Sequence, residues 1–157
     1  MSNRSLIVLR AALLALTLGV GAVPTAAAQY FGRNKVQYQQ FKFQTLKTEH
    51  FDILYYDEER AAAEIASRLA ERWYARLSRI LDHQLSRRQV VIFYASHPDF
   101  EQTNAIPGQL DEGTGGVTEA FKRRIVLPFA GPLAETDHVL GHELVHAFQY
   151  DITGQGR

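Results

Sequence analysis

His142-Glu143-Leu144-Val145-His146 is an H-E-x-x-H pentad, and the stretch around it, Asp137 to Asp151, reads as one helix. Two histidines four residues apart project from one helical face, so both imidazoles can reach a single Zn²⁺ at about 2.0–2.1 Å. The glutamate between them need not bind metal. It is placed to hold and deprotonate the water that completes the coordination sphere, which is the work of a general base. The chemistry is zinc-dependent hydrolysis, with the peptide bond as its first candidate substrate. A chain of this length contains such a pentad by accident roughly once in a few hundred cases, so the chemical reading outweighs chance.

Helical phase adds to the case. At about 100° per residue, Leu140, Gly141, Leu144, Ala147 and Phe148 share one arc, while His138, His142, Glu143 and His146 share the opposite one, with Val139 the only apolar residue among them. The first arc can pack into a core and the second can face a cleft. Gly141 costs about 1 kcal/mol relative to Ala inside a helix. It predicts a close approach of neighbouring backbone beside the first ligand, or tight packing alone.

Catalytic zinc normally takes three protein ligands and leaves a fourth position to water. His138 lies about 12 Å along the helix from His146, too far for all three histidines to share one ion. The longer H-E-x-x-H-x-x-G-x-x-H pattern is broken at Gln149 and Ile152. Asp151, the one carboxylate after His146, projects on the apolar side of the helix. His97, beside Pro98, reads as a turn residue, His50 as structural and His83 as part of a solvated helix end. A third ligand is therefore expected beyond Arg157, and the chain as it stands is expected to be inactive for want of it.

The elements that must position this helix are mixed. Gln37 to Lys47 and Phe51 to Tyr56 read as a strand pair. Asp57-Glu58-Glu59 then reads as the cap of a long helix reaching about Leu85, with a buried stripe of Ala62, Ile65, Ala66, Leu69, Trp73, Leu77 and Ile80/Leu81. Trp73 and Tyr74 are read as core and rim. Gln89 to Ala95 is a short apolar run suited to a strand covered on both faces. Residues 104–116 carry four glycines and read as a mobile loop, with no lysine spaced for phosphate binding. Gly116 to Phe121 and Arg124 to Phe129 read as a hairpin joined through a solvated basic turn at Lys122-Arg123-Arg124. Glu119 is expected to be exposed on its strand. Thr136-Asp137 offers a cap for the pentad helix. The fold class is α+β.

The N-terminus addresses the compartment. Arg4 and Arg10 precede the apolar run Ala11 to Val23, and Ala26-Ala27-Ala28 supplies small residues before Gln29. That reads as a secretory signal peptide over residues 1–28, too short in its apolar run for a stable membrane span, and predicts export to the periplasm or the extracellular space. Residues 29–157 then form one domain. Without Arg4 and Arg10, 15 of the 17 basic residues face 17 acidic ones, a formal charge of −2 that argues against a nucleic-acid partner. There is no cysteine, so stability must come from the core, a metal or a neighbouring domain.

Residues 48–56 (Thr-Glu-His-Phe-Asp-Ile-Leu-Tyr-Tyr), the strand ending in Ser-His-Pro-Asp-Phe, the Gly-Gly-Val-Thr-Glu-Ala segment and Gly-His-Glu-Leu-Val-His-Ala-Phe-Gln-Tyr together resemble the peptidase MA-like (gluzincin) domains of bacterial exported proteins. Some proteins of that kind continue into a TolB-like, WD40-type β-propeller. The resemblance implies a zincin-like metalloprotease domain, incomplete at its C-terminus. It also implies a small sheet with a backing helix and an active-site helix, His142 and His146 as zinc ligands, Glu143 as catalytic acid/base, and a downstream glutamate as third ligand. The expected activity is a zinc metallopeptidase acting on a peptide or protein substrate. The alternative is a non-catalytic zincin-like scaffold attached to a downstream repeat domain.

Overall fold

The structure is a computed structural model that describes residues 40–104, 113–129 and 131–155. The expected signal peptide, the beginning of the first expected strand and the middle of the glycine-rich loop lie outside the described residues. Five strands form one mixed sheet in the order β1-β2-β3-β5-β4: β1 Gln44–Lys47, β2 Phe51–Tyr55, β3 Gln89–Tyr94, β4 Val117–Glu119 and β5 Arg124–Pro128. A 3₁₀ turn over Asp57–Glu59 leads into helix α1, Arg60–Ile80. Helix α2 is short, His97–Glu101, and α3 runs Leu133–Thr153. The architecture is α+β, and no helix among the described residues is long and apolar enough to cross a membrane.

Alternation in β2 sends Phe51, Ile53 and Tyr55 to one face, where Val91, Phe93, Ile125 and Leu127 join them beneath α1 and α3. Each fully buried Phe, Leu or Ile there stabilises the fold by about 1.5–3 kcal/mol. The other face of β3 and β5 is covered too. Tyr56, Tyr94, Phe100 and Val126 form a second core with Phe41 and Phe43. This is why residues 89–95 read as an unbroken apolar run. β3 pairs parallel with β2 and β5, while β1 and the edge strand β4 pair antiparallel with their neighbours. The first strand is shorter than its alternation suggests because Phe41 and Phe43 leave it to pack on Tyr56 and Tyr94, at ring separations of 5.0–5.6 Å.

Several expectations are corrected by contacts distant in sequence. α1 stops at Ile80 rather than Leu85, because Asp82 adopts φ 46° and turns the chain back toward the core. Its buried face is rotated from the expected stripe and comprises Ala63, Ala66, Ser67, Leu69, Ala70, Tyr74 and Leu77, leaving Ile80 exposed. Tyr74 is the core residue and Trp73 the half-buried one. Tyr74 lies between the ring of His50, stacked at 3.7 Å, and Phe148 at 5.5 Å. No side chain caps α1 at Glu59. α3 begins at Leu133 with Pro132 at its cap position, four residues before the expected Thr136-Asp137 cap.

The basic turn is solvated at Lys122 but not throughout. Arg123 takes φ 51°, and its guanidinium, with the side chain only 11% exposed, pairs with Asp151 on α3. Arg124 pairs with Glu119 across the hairpin, so Glu119 is largely covered rather than exposed. His83 is also drawn in. It donates to Asp151 at 2.8 Å, while the Ser86 amide and hydroxyl donate at 3.0 and 2.7 Å.

Candidate metal centre

The apolar arc of α3 is buried as its phase predicts: Leu140, Gly141, Leu144, Ala147 and Phe148 all face the sheet and α1. Gly141 is the point of nearest approach. A Cβ there would lie 2.4 Å from Cε2 of Trp73, so the neighbour that requires glycine is an indole ring and not backbone. The same ring donates its Nε1–H to Asp137, to the carboxylate at 2.8 Å and the carbonyl at 3.1 Å. Arg72 completes the clamp with a 2.9 Å bond to the same carboxylate. One turn of α1 thus fixes the rotation of α3 immediately before His142.

On the opposite arc the Nε2 atoms of His142 and His146 stand 3.1 Å apart, with the rings edge to face at 79°. Two nitrogens on one tetrahedral zinc at about 2.0–2.1 Å would be about 3.3 Å apart, so this donor pair fits a shared Zn²⁺. His142 is exposed and His146 half-exposed. Without an ion, the same spacing suits one N–H···N bond between the rings, and the two arrangements differ by a proton that the metal displaces.

Glu143 is buried, which its place on the cleft-facing arc did not predict. The Thr118 hydroxyl on β4 donates to its Oε2 at 2.5 Å and lies 3.0 Å from its backbone carbonyl. Gly116 sits on top: a Cβ at that position would meet Cγ of Glu143 and Cγ1 of Val139, each at 3.0 Å. Gly115 and Gly116 are therefore packed against α3, Gly115 on Val139. A cleft of about 290 Å³ opens beside them, lined by Gly113, Gly116, His138, Val139, His142 and Glu143.

The remaining histidines are placed elsewhere. His50 bonds through Nδ1 to Glu71 at 2.7 Å, where burial of Glu71 is outweighed by bonds from Thr48 and His50 that hold its carboxyl below the usual range. His83 belongs to the Asp151 cluster. His97 opens α2, with Nε2 3.4 Å from Glu101. His138 lines the cleft, but among the described residues no group of three His, Asp or Glu side chains is arranged to hold a metal ion. Two residues of the site escaped the sequence reading. Thr118 is brought to Glu143 only by the packing of β4 on α3, which leaves no local signal. Gln149 accepts from Nδ1 of His146 at 3.1 Å, and its i+3 spacing was a signal that could have been used.

Compared with protein-family models, curated proteins and solved structures, the chain matches none. The functional reading therefore rests on the residues and their geometry.

Proposed function

We propose that this chain carries the metal-binding helix of an exported zinc metallopeptidase with a zincin-like fold. The observation that carries the reading is the approach of the His142 and His146 Nε2 atoms to 3.1 Å, with His142 and Glu143 among the residues that line a cleft. His142 and His146 would hold the ion, and we place the third protein ligand outside the described residues. When bound there, zinc would supply a Lewis acid that lowers the pKa of water to about 7.

Glu143 does the proton work. Its Oε2 is held by Thr118, which leaves Oε1 to take a proton from the attacking water as the new C–O bond forms. Glu143 then returns that proton to the departing amine as the C–N bond breaks, and the products are a carboxylate and an amine. Gly116 keeps a side chain away from the carboxylate, so an extended substrate backbone can lie along the cleft.

In the full-length protein, Glu143→Gln should retain Zn²⁺ and lose hydrolysis of a peptide library by about 10²–10⁴-fold. Undiminished turnover would remove Glu143 from the mechanism. Zinc uptake with no cleavage by the wild type would favour the scaffold reading instead.

A further inference from the structure

We infer that Gln149, outside the pentad, is a positioning residue that sets the tautomer of His146 for metal binding. The inference rests on the proposed zinc site but goes beyond it, because it assigns the two histidines unequal states before any metal arrives. A neutral imidazole carries one N–H, and only its other nitrogen has a lone pair for a metal. The Gln149 Oε1 atom, 3.1 Å from Nδ1 of His146, can only accept, so the proton sits on Nδ1 and the lone pair on Nε2. The Nε2 lone pair is aimed at His142, whose Nε2 is 3.1 Å away. Tyr150 lies nearly parallel to the same ring, 23° between planes and 6.3 Å between centroids.

His142 has no such acceptor on its Nδ1 among the described residues. In the metal-free chain its proton therefore sits on Nε2 and is donated to His146, and Zn²⁺ binding requires that it move to Nδ1 or leave. His146 is ready to ligate and His142 is the ring that must change. Helical spacing explains the asymmetry, since the residue three after His146 is Gln149 whereas the residue three after His142 is Val145, whose side chain can accept nothing.

The test uses the full 157-residue chain, Zn²⁺ alone as the probe in competition with a chromophoric chelator, and ¹⁵N resonances of the imidazole rings. Metal-free wild type should show the Nδ1–H form at His146 and the Nε2–H form at His142, with His142 changing on Zn²⁺ addition. Gln149→Leu should scramble the His146 tautomer and weaken Zn²⁺ binding by about 10–100-fold. Gln149→Glu, which keeps the acceptor, should restore both, and because Gln149 is exposed neither variant should shift the thermal midpoint. An Nε2–H form at His146 in the wild type, or unchanged Zn²⁺ affinity in Gln149→Leu, would overturn the inference. Failure of the wild type to take up Zn²⁺ would instead count against the metallopeptidase reading, while the metal-free tautomers still decide the role of Gln149.

Discussion

Helix α3 carries two polar clusters about one turn apart, and they are built on opposite terms. At Asp151, both carboxylate oxygens are saturated: His83 and the Ser86 amide donate to Oδ2, the Ser86 hydroxyl and the Arg123 guanidinium to Oδ1. The donors come from the α1–β3 connection and the β4–β5 turn, so the cluster joins three parts of the chain around a carboxylate whose side chain is 4% exposed. At the histidine pair, Thr118 holds Glu143 and Gln149 lies against His146, while the His142 and His146 Nε2 atoms converge at 3.1 Å and His142 and Glu143 line a cleft. A saturated cluster has nothing left to offer a ligand. A converging one stabilises little by itself and is ready to bind.

The largest effect should follow from opening the saturated cluster. Asp151→Ala leaves Arg123 nearly buried with no counter-ion and should cost about 3–5 kcal/mol in urea unfolding. A loss below about 1 kcal/mol would mean that the cluster is solvated and that the contrast with the histidine site is false. The pH dependence carries the same information. Burial pushes the Asp151 carboxyl up, but the Ser86 hydroxyl, His83, the Ser86 amide and Arg123 outweigh it and hold it well below the usual carboxylate range. With the native pKa depressed, the unfolded chain binds the proton first as pH falls. This contribution is therefore present above the unfolded value of about 3.9 and is lost as pH drops toward the native one. Asp151→Asn should flatten that acid limb of the stability curve relative to wild type.

Legibility in the sequence divides along similar lines. The pentad, the apolar arc of α3, the buried strand Gln89–Tyr94 and the hairpin around β4 and β5 were readable because each is a pattern within a few turns or one strand. What was misread depends on partners far along the chain. Arg123 and Arg124 look like a solvated turn until Asp151 and Glu119 are opposite them, and residues 81–85 look helical until Asp82 turns them toward the core. Gly141 is the intermediate case. Its type announced a close approach, but not that Trp73, from α1, would be the neighbour. Gly141→Ala should gain about 1 kcal/mol of helix propensity and lose more to overpacking against the indole, where a crowded core costs about 1–3 kcal/mol. A net destabilisation accompanied by a change in Trp73 fluorescence would place the clamp where α1 sets the rotation of α3. A stabilised variant would show that the ring moves aside freely.

The smallest effect on stability should come from the residues on which the proposed function depends most. His142 is exposed and His146 half-exposed, and neither fills the core, so His142→Ala and His146→Ala should each change metal-free stability by no more than about 0.5 kcal/mol. With Zn²⁺ at about 100 times its dissociation constant, the wild type should gain about 2.7 kcal/mol, because the ion binds the folded helix and not a chain in which the two rings are apart. Neither variant should share that gain. Two outcomes would break the contrast between the clusters: a metal-free loss comparable to that of Asp151→Ala, which would make the histidine pair a structural bond, or equal Zn²⁺ stabilisation in the variants, which would put the ion elsewhere. If both hold as expected, one helix separates its duties by face as well as position: its apolar arc and Asp151 anchor it to the domain, and the His142 and His146 rings are left inexpensive to alter and open to a metal.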